Sequence, residues 1–277
     1  MRLRSFSCNF LWKQQEAHAP DHMSQVFRHT EILTIARREG KVTVEDLAEQ
    51  FGVTLQTIRR DLTDLADAGR LERVHGGAVL PSGTTNIGYE ERRALNAEVK
   101  RNIAVSCAAQ IPDDASVFLN IGTSTEAVAT ELLGHKNLMV VTNNMNVANI
   151  LVANPDCEIV VVGGTLRRSD GGLVGSLTTA AISRFKFDIA VIGCSAMDID
   201  GDLLDFDLQE VGVSQSIIRQ SRRAFLVADV SKLTRKAPAK IASLSELDAF
   251  FTDQPLPPSL AEKCRNWGVN VVVAGRS

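Results

Sequence analysis

The sequence has no long apolar run and no cysteine motif, and these absences exclude several classes of protein. No stretch of its 277 residues approaches the roughly 18 consecutive apolar residues that a membrane-spanning helix needs. Its five cysteines are scattered without a CxxC pair, which argues against a disulfide framework and against a zinc site. We therefore expect a cytoplasmic protein in a reducing compartment, with no membrane partner and no metal.

The sequence also lacks an excess of charge of one sign. Its 30 lysines and arginines face 33 aspartates and glutamates, and 44% of its residues are hydrophobic. This composition is typical of a globular protein, and the length allows two domains. Residues 28–80 hold eight basic and nine acidic residues. Because no basic block is present, any binding to nucleic acid must depend on where individual arginines lie.

Two helical patterns joined by a glycine turn occupy residues 43–67. Thr43 with Asp46 three residues later resembles a capping box, and Thr54 is the expected N-cap of the second helix. In that helix, a buried apolar stripe is predicted for Leu55, Ile58, Leu62 and Leu65. The opposite face is polar and holds Gln56, Thr57, Arg59, Arg60 and Thr63. A helix-turn-helix places such a face in the major groove, where Gln pairs with adenine and Arg with guanine. A solvated surface helix is the alternative.

The segment after this helix, RLERVHGGAVL, predicts a β-hairpin that turns at Gly76 and Gly77. Such a wing would place Arg73 and His75 beside a DNA backbone. A loop histidine without function is the alternative for His75. The predicted DNA-binding residues are therefore Thr54, Gln56, Thr57, Arg59, Arg60, Thr63, Arg73 and His75.

From Ser116, short apolar runs alternate with helical stretches. The runs are SVFLNIG, LMVVTNN, EIVVVGG, DIAVIGCSA, RAFLVAD, AFFTD and VNVVVAG. This pattern indicates an α/β domain with a mostly parallel sheet that is covered on both faces. Before these runs, residues 89–111 predict a helix with charged pairs on its outer face and Ile103, Cys107 and Ile111 inward.

The chain is thus expected to divide into four segments. Residues 1–27 are predicted to be a disordered tail or to precede a true start at Met23, since they lack a sustained signal-peptide core and a cleavage site. Residues 28–80 form the winged helix-turn-helix, and PSGTTNIG, residues 81–88, is the linker. Residues 89–277 form the second domain.

Polar residues follow six of the apolar runs where each predicted strand ends. They are Asn120, Thr142 to Asn144, Gly163 with Gly164, Ser195, Asp229 with Lys232, and Asp253. Because ligands of such sheets bind at the carboxyl ends of the strands, these residues predict one polar cleft.

The loop Gly122–Thr125 lies between a strand and a helix, where backbone N–H groups and hydroxyls suit an anion. It matches neither a dinucleotide nor a nucleoside-triphosphate motif, so a small phosphorylated ligand fits better and we expect no cofactor. Capping residues without a ligand are the alternative. Arg167 and Arg168, in a glycine-rich loop, are candidates to cover the ligand. The acidic segment 198–210 offers acceptors for ligand hydroxyls, and its spacing does not match an EF-hand.

Taken together, residues 28 to about 258 resemble the DeoR-type bacterial transcription regulators. QTIRRDLTDLADAG and HGGAVLP resemble the DNA-binding signature of that family. NIGTSTEAVA, VTNNMNVAN, GGTLRRSDGGLVG, LLDFDLQEV and DVSK resemble its effector domain. The resemblance implies a winged helix-turn-helix joined to an α/β domain similar to ribose-5-phosphate isomerase. It also implies a homo-oligomer, a dimer or tetramer, that releases operator DNA when a phosphorylated polyol or sugar binds.

The resemblance places the phosphate loop on Gly122 to Thr125, the lysine of the family's D-x-S-K on Lys232 and the pocket glutamate on Glu210. With the polar strand ends, the predicted effector-binding residues are Asn120, Gly122, Thr123, Ser124, Thr125, Asn143, Glu210 and Lys232. We expect a repressor of carbon-source catabolism genes with no catalytic residues, and glycerol 3-phosphate is the first candidate effector. The rival is a sugar-phosphate isomerase or deaminase with Glu210 or Asp198 as general base. An isomerase needs no helix-turn-helix.

Overall fold

The computed structural model describes residues 20–39, 41–74, 76–79 and 89–275, which fall into two compact units, residues 1–82 and 83–277. The expected linker 81–88 and residues 1–19 of the expected tail lie outside the described residues. Among the helices that are described, none is both long enough and apolar enough to cross a membrane.

The described part of the first unit holds three helices and a three-stranded antiparallel sheet. The elements are α1 (Pro20–Glu39), β1 (Lys41–Thr43), α2 (Val44–Phe51), α3 (Leu55–Asp67), β2 (Glu72–Val74) and β3 (Gly77–Val79). The strands pair in the order β1-β3-β2. Ile58 and Leu62 of α3 are buried against Ile32 of α1 and Leu47 of α2. The predicted winged helix-turn-helix is confirmed.

Two expectations about this unit are wrong. α1 begins at Pro20, so residues 20–27 are helical and not a disordered tail. Proline suits this position because the first N–H groups of a helix have no partner within the helix. Leu55, which we expected in the buried stripe, is 42% exposed. Periodicity predicts the face of a helix on which a residue lies, but not how far along its axis the core extends.

The wing requires glycine at positions 76 and 77 for two different structural reasons. Gly76 adopts a φ of +75°, in the left-handed region that favours glycine. Gly77 has no such φ, but a Cβ atom there would lie 2.0 Å from the carbonyl oxygen of Val42. Because β1 and β3 pair at this point, only glycine fits between them.

The second unit alternates helices and strands along most of its length. Its helices are α4 (Tyr89–Ala94), α5 (Ala97–Ala108), α6 (Thr123–Glu131), α7 (Met145–Leu151), α8 (Ser176–Ile182), α9 (Leu208–Gln220) and α10 (Pro258–Trp267). Its strands are β4 (Ser116–Leu119), β5 (Leu138–Thr142), β6 (Cys157–Val161), β7 (Thr165–Arg167), β8 (Gly172–Val174), β9 (Phe187–Ile192), β10 (Ala196–Met197), β11 (Asp202–Asp205), β12 (Ser221–Val227), β13 (Ala239–Ser243), β14 (Ala249–Thr252) and β15 (Asn270–Val273).

Seven of these strands form one sheet in the order β15-β14-β12-β9-β4-β5-β6, and every neighbouring pair is parallel. They correspond to the seven apolar runs of the sequence, so the predicted parallel α/β domain is confirmed. Buried side chains form two apolar clusters, one with Phe118 and Phe250 and the other with Val117 and Phe251. Because neighbouring residues of a strand point to opposite faces, both faces of the sheet are covered.

Three features of this unit were not predicted. The helix expected over residues 89–111 is interrupted by Asn96, whose φ of 54° is left-handed and therefore ends a helix. A hairpin, β7 with β8, follows β6. A second, antiparallel sheet has the order β10-β11-β13. The hairpin places Arg167 after the carboxyl end of β6, and the small sheet places Asp205 after the carboxyl end of β9.

Candidate functional site

The polar face of α3 is the candidate surface for reading DNA. The Thr54 hydroxyl accepts a hydrogen bond from the Thr57 N–H at 3.2 Å and lies 2.9 Å from the Thr57 hydroxyl. This cap fixes the start of α3, as predicted. Gln56, Arg59, Arg60 and Thr63 are exposed and Thr57 is half-buried. Arg73 on β2 is also exposed, whereas His75 lies outside the described residues.

A buried carboxylate that we did not predict holds α3 on α1. Asp61 is 1% exposed and accepts a hydrogen bond from Arg28 Nε at 2.8 Å, and its other oxygen lies 3.2 Å from His29 Nε2. A buried charge is costly unless it is paired, so these partners explain how Asp61 is tolerated in the apolar interface. The polar face of α3 therefore projects from a fixed helix.

Four basic side chains gather beyond the carboxyl end of β12. Arg92 comes from α4, Lys100 from α5, and Lys232 and Arg235 from the 3₁₀ turn Val230–Thr234 and its cap. Burial, together with the nearby charges of Arg235 and Arg92, lowers the pKa of both Lys100 and Lys232 to about 8, although Asp229 opposes this shift. We call these four residues the cation cluster.

One carboxylate, Asp229, lies within the cation cluster. Burial raises the pKa of Asp229, but Lys232 and the hydrogen bond from the Ser231 N–H at 3.1 Å outweigh this, so its pKa is lowered overall. Several buried atoms around it have no hydrogen-bond partner within the described residues: Arg92 Nε, Arg235 Nε and Nη1, and Ser231 Oγ. Buried donors in this state are uncommon in folded proteins. The arrangement suits a ligand that brings negative charge and several acceptor oxygens, as a phosphate does.

The loop Gly122–Thr125 lies close to the cation cluster. It follows β4, and β9 is the one strand between β4 and β12, so the two strand ends are about 10 Å apart. Lys100 connects the two places, because its charge interacts with both Asp229 and Glu126 in the first turn of α6. Gly122 has a φ of +146°, and no side chain caps α6. Backbone N–H groups at this helix start are thus available to an anion.

The Thr125 hydroxyl has an internal role in this loop. It lies 2.6 Å from the carbonyl oxygen of Asn120 and 2.7 Å from that of Gly122, and it donates to them. Thr125 is fully buried. Its hydroxyl therefore holds the loop in shape, as in the capping alternative, while the backbone of the loop remains available to a ligand.

Two asparagines that we predicted at strand ends carry unpaired acceptors. Asn120 and Asn143 are at most 1% exposed. Asn143 Nδ2 donates to the carbonyl oxygen of Leu173 at 3.1 Å, and Asn120 Nδ2 donates to Ser214 Oγ at 2.8 Å. The Oδ1 atom of each has no partner within the described residues. Such atoms accept hydrogen bonds from hydroxyl groups.

Glu210 belongs to a group of carboxylates around Arg167. Arg167 donates to both oxygens of Asp170 at 2.9 and 2.7 Å, to Asp207 at 2.8 Å and to Glu210 at 2.6 Å. Burial raises the pKa of Glu210 to about 7, and the nearby Asp205 contributes to this shift while Arg167 opposes it. Arg167, which we expected over a ligand, is thus held by carboxylates, and Arg168 is exposed.

Two shallow depressions lie at the opposite, amino-terminal edge of the sheet. One is lined by residues that include Lys136 and Glu158, the other by residues that include Asp113 and Arg222. Neither contains a member of the cation cluster. The groups that suit a phosphate therefore lie at the carboxyl edge, where parallel α/β sheets bind ligands.

Comparison with known proteins identifies both units. Residues 28–84 match the model of the DeoR-like helix-turn-helix domain, and residues 95–254 match the DeoR C terminal sensor domain. The glycerol-3-phosphate regulon repressor of Escherichia coli (strain K12) is 45% identical over 240 residues, which are 87% of this chain and 95% of that protein. The chain belongs to the DeoR family.

A further DeoR-family relative agrees with this assignment. The glycerol-3-phosphate regulon repressor of Haemophilus influenzae is 45% identical over 83% of this chain and 90% of that protein. Ribose 5-phosphate isomerase from Plasmodium falciparum is among the similar structures, with a TM-score of 0.37, 12% identity, and coverage of 49% of this chain and 52% of that one. This DeoR-family chain is a DNA-binding transcriptional repressor with a sensor domain, as the sequence predicts, and not an enzyme.

Three residues of this candidate site were not predicted from the sequence of this DeoR-family chain. Arg92, Lys100 and Arg235 were not selected, although all three belong to the cation cluster. Two signals were available: Lys100 lies three residues before Ile103 on the predicted inward face of α5, and Arg235 lies one turn after Lys232. Arg92 has no such signal, because the run Glu90–Arg93 resembles ordinary surface charge.

Proposed function

We propose that this repressor leaves its operator when a small phosphorylated polyol or sugar binds at the carboxyl edge of the second unit. The observation that carries the proposal is the cation cluster, in which four basic side chains gather around Asp229 and several buried N–H groups lack partners within the described residues. Relatives with 45% identity are named glycerol-3-phosphate regulon repressors, so glycerol 3-phosphate is the first candidate.

The proposed ligand contacts two parts of the site, the cation cluster with the start of α6 and the asparagines at the strand ends. Its phosphate accepts hydrogen bonds from Lys232, Arg235 and Arg92 and from the backbone at the start of α6. Its hydroxyls donate to the unpaired Oδ1 atoms of Asn120 and Asn143. Charge-assisted hydrogen bonds to a phosphate are about twice as strong as neutral ones, so the phosphate supplies most of the affinity and the hydroxyls supply the selectivity.

DNA reading is assigned to the polar face of α3. Gln56 and Arg60 are exposed and carry the groups that pair with adenine and guanine. Leu55, at the start of α3, adds an apolar side chain that suits a thymine methyl. Arg73 of the wing is placed to contact a phosphate, and His75 remains a candidate from the sequence alone.

We further propose that the protein acts in the cytoplasm as a homo-oligomer. A single winged helix-turn-helix contacts few phosphates, and the affinity of such contacts falls steeply with salt. Two modules on paired half-sites restore a useful affinity. The second unit, residues 83–277, is the larger one and the proposed place of association.

The effector proposal is tested with Lys232→Ala. Operator duplex is first selected by the wild-type protein from a random pool, and its affinity is then measured with and without glycerol 3-phosphate and a panel of sugar phosphates. Because Lys232 belongs to the phosphate site and not to the DNA-reading unit, we expect Lys232→Ala to bind the duplex as the wild type does and to resist release. Lys236→Ala, at an exposed lysine four residues later, is the matched control.

A thermal melt of each variant accompanies this measurement. If Lys232 had only a structural role, Lys232→Ala would melt at a lower temperature while its response to the ligand survived. Normal release of the duplex from Lys232→Ala would refute the proposed site.

A further inference from the structure

α4 is attached to its unit by polar contacts. The Tyr89 hydroxyl donates to Glu126 Oε2 at 2.8 Å and accepts from Asn146 Nδ2 at 2.9 Å. Arg92 Nη2 lies 3.4 Å from Asp170 Oδ2. None of the α4 side chains that the structure describes is among the buried apolar residues of the unit. Among the described residues, the contacts that hold α4 are therefore mainly hydrogen bonds.

The other end of α4 is held by the buried ammonium of Lys100. Lys100 Nζ donates to the carbonyl oxygen of Arg92 and to that of Leu95, the latter at 2.6 Å. Lys100 is 6% exposed and belongs to the cation cluster. The residues that hold α4 are thus largely the residues of the proposed effector site: Glu126 follows the loop Gly122–Thr125, and Lys100 and Arg92 belong to the cluster itself.

Arg92 is the weakest of these attachments. Its partner Asp170 already accepts two short hydrogen bonds from Arg167, at 2.9 and 2.7 Å. A charge-assisted hydrogen bond is strongest near 2.7–2.9 Å, so the 3.4 Å contact of Arg92 is poor. Arg92 Nε is moreover buried without a partner. A phosphate among Arg92, Lys232 and Arg235 would offer Arg92 more negative charge and more acceptors than Asp170 does.

We propose that Arg92 moves from Asp170 to the phosphate of the effector, and that this exchange displaces α4 and thereby weakens operator binding. The inference rests on the proposed effector site. α4 is the first described element after residues 81–88, which join the two units along the chain. A ligand shifts a two-state equilibrium only by binding one state better than the other, and the exchange of partners at Arg92 supplies that difference.

The test uses the full-length protein with two variants and one control. Arg92→Gln removes the charge that is exchanged. Tyr89→Phe removes the hydroxyl that joins α4 to Glu126 but leaves the cation cluster intact. Arg93→Gln changes an exposed arginine on the same helix and is the control. Glycerol 3-phosphate binding is measured by calorimetry, and affinity for the selected operator duplex is measured by fluorescence anisotropy without and with saturating glycerol 3-phosphate.

We expect Arg92→Gln and Tyr89→Phe to change the affinity for glycerol 3-phosphate in opposite directions. Arg92→Gln binds glycerol 3-phosphate about tenfold more weakly, and at saturation it keeps the duplex that the wild type releases. Tyr89→Phe binds the duplex about fivefold more weakly without effector and binds glycerol 3-phosphate about fivefold more tightly, because the coupling of two sites is reciprocal. A purely structural role of Tyr89 would not increase the affinity for the effector. Arg93→Gln behaves as the wild type.

Two results would overturn the inference alone: release of the duplex by saturated Arg92→Gln to the wild-type extent, or unchanged affinities of Tyr89→Phe for both ligands. A wild-type protein that binds neither glycerol 3-phosphate nor a sugar phosphate would instead overturn the proposed function, and this inference with it. The wild-type titration therefore separates the two failures.

Discussion

At the residue scale, arginine has three different environments in this protein. Arg59 and Arg60 are exposed on α3, where water solvates the charge. Arg167 is held by three carboxylates. Arg92 and Arg235 are largely buried, with N–H groups that lack partners. Because removing a charge from water is costly, the third environment is the one that a phosphate would most improve.

Leu55 carries a prediction at this scale. It is 42% exposed at the start of α3, the part of a recognition helix that contacts base edges. We expect Leu55→Ala to bind the selected duplex about tenfold more weakly, or about 1.4 kcal/mol, because a thymine methyl loses its apolar partner. Duplexes in which uracil replaces single thymines identify that methyl.

The wild type should lose affinity at one or two of these uracil substitutions, and Leu55→Ala should lose nothing further at the same positions. Uracil at thymines outside the half-sites is the internal control. Equal losses for both proteins at every thymine would show that Leu55 contacts no methyl group.

At the element scale, whether the sequence predicted a strand depended on the burial and the length of that strand. The seven parallel strands were predicted because strands buried on both faces are near-continuous apolar runs. The strands of the β7–β8 hairpin and of the small sheet are two to five residues long and of mixed polarity, as in Thr165–Arg167 and Asp202–Asp205. Their pairing decides that they are strands, because segments this short leave no clear local pattern.

The wing provides a prediction about an element. A Cβ atom on Gly77 would lie 2.0 Å from the Val42 carbonyl oxygen, so Gly77→Ala must separate β1 from β3. We expect the first unit to lose about 1–3 kcal/mol of unfolding free energy, measured by chemical denaturation, with weaker operator binding. Gly134→Ala is the control, because a Cβ atom there meets nothing within 4 Å. Equal stability of the two variants would contradict the close approach.

At the scale of the whole molecule, one unit reads DNA and the other binds the effector. The sequence predicts this division because the local patterns change from helical spacing with a hairpin to alternating strands and helices. In the proposed homo-oligomer each subunit contributes one sensor and one DNA-reading module, so the strength of the effector's action on the operator would be a property of the whole assembly.

The prediction at this scale concerns association. We expect at least a dimer in solution, and we expect a duplex with one half-site to bind at least about a hundredfold more weakly than one with two, because the second module then makes no contacts. Light scattering at micromolar concentration and titration of the two duplexes measure these quantities. A monomeric mass combined with full operator affinity would exclude the proposed pairing of half-sites.

The sequence by itself determined the winged helix-turn-helix, the polar face of α3, the seven parallel strands and the edge of the sheet where we propose that the effector binds. These follow from local periodicity and from the rule that parallel strands present their carboxyl ends at one edge. Tertiary structure alone decided which charges meet. Arg92, Lys100, Lys232 and Arg235 come from three separate segments, and the interaction of charges depends on distance and burial, which exist once the chain has folded.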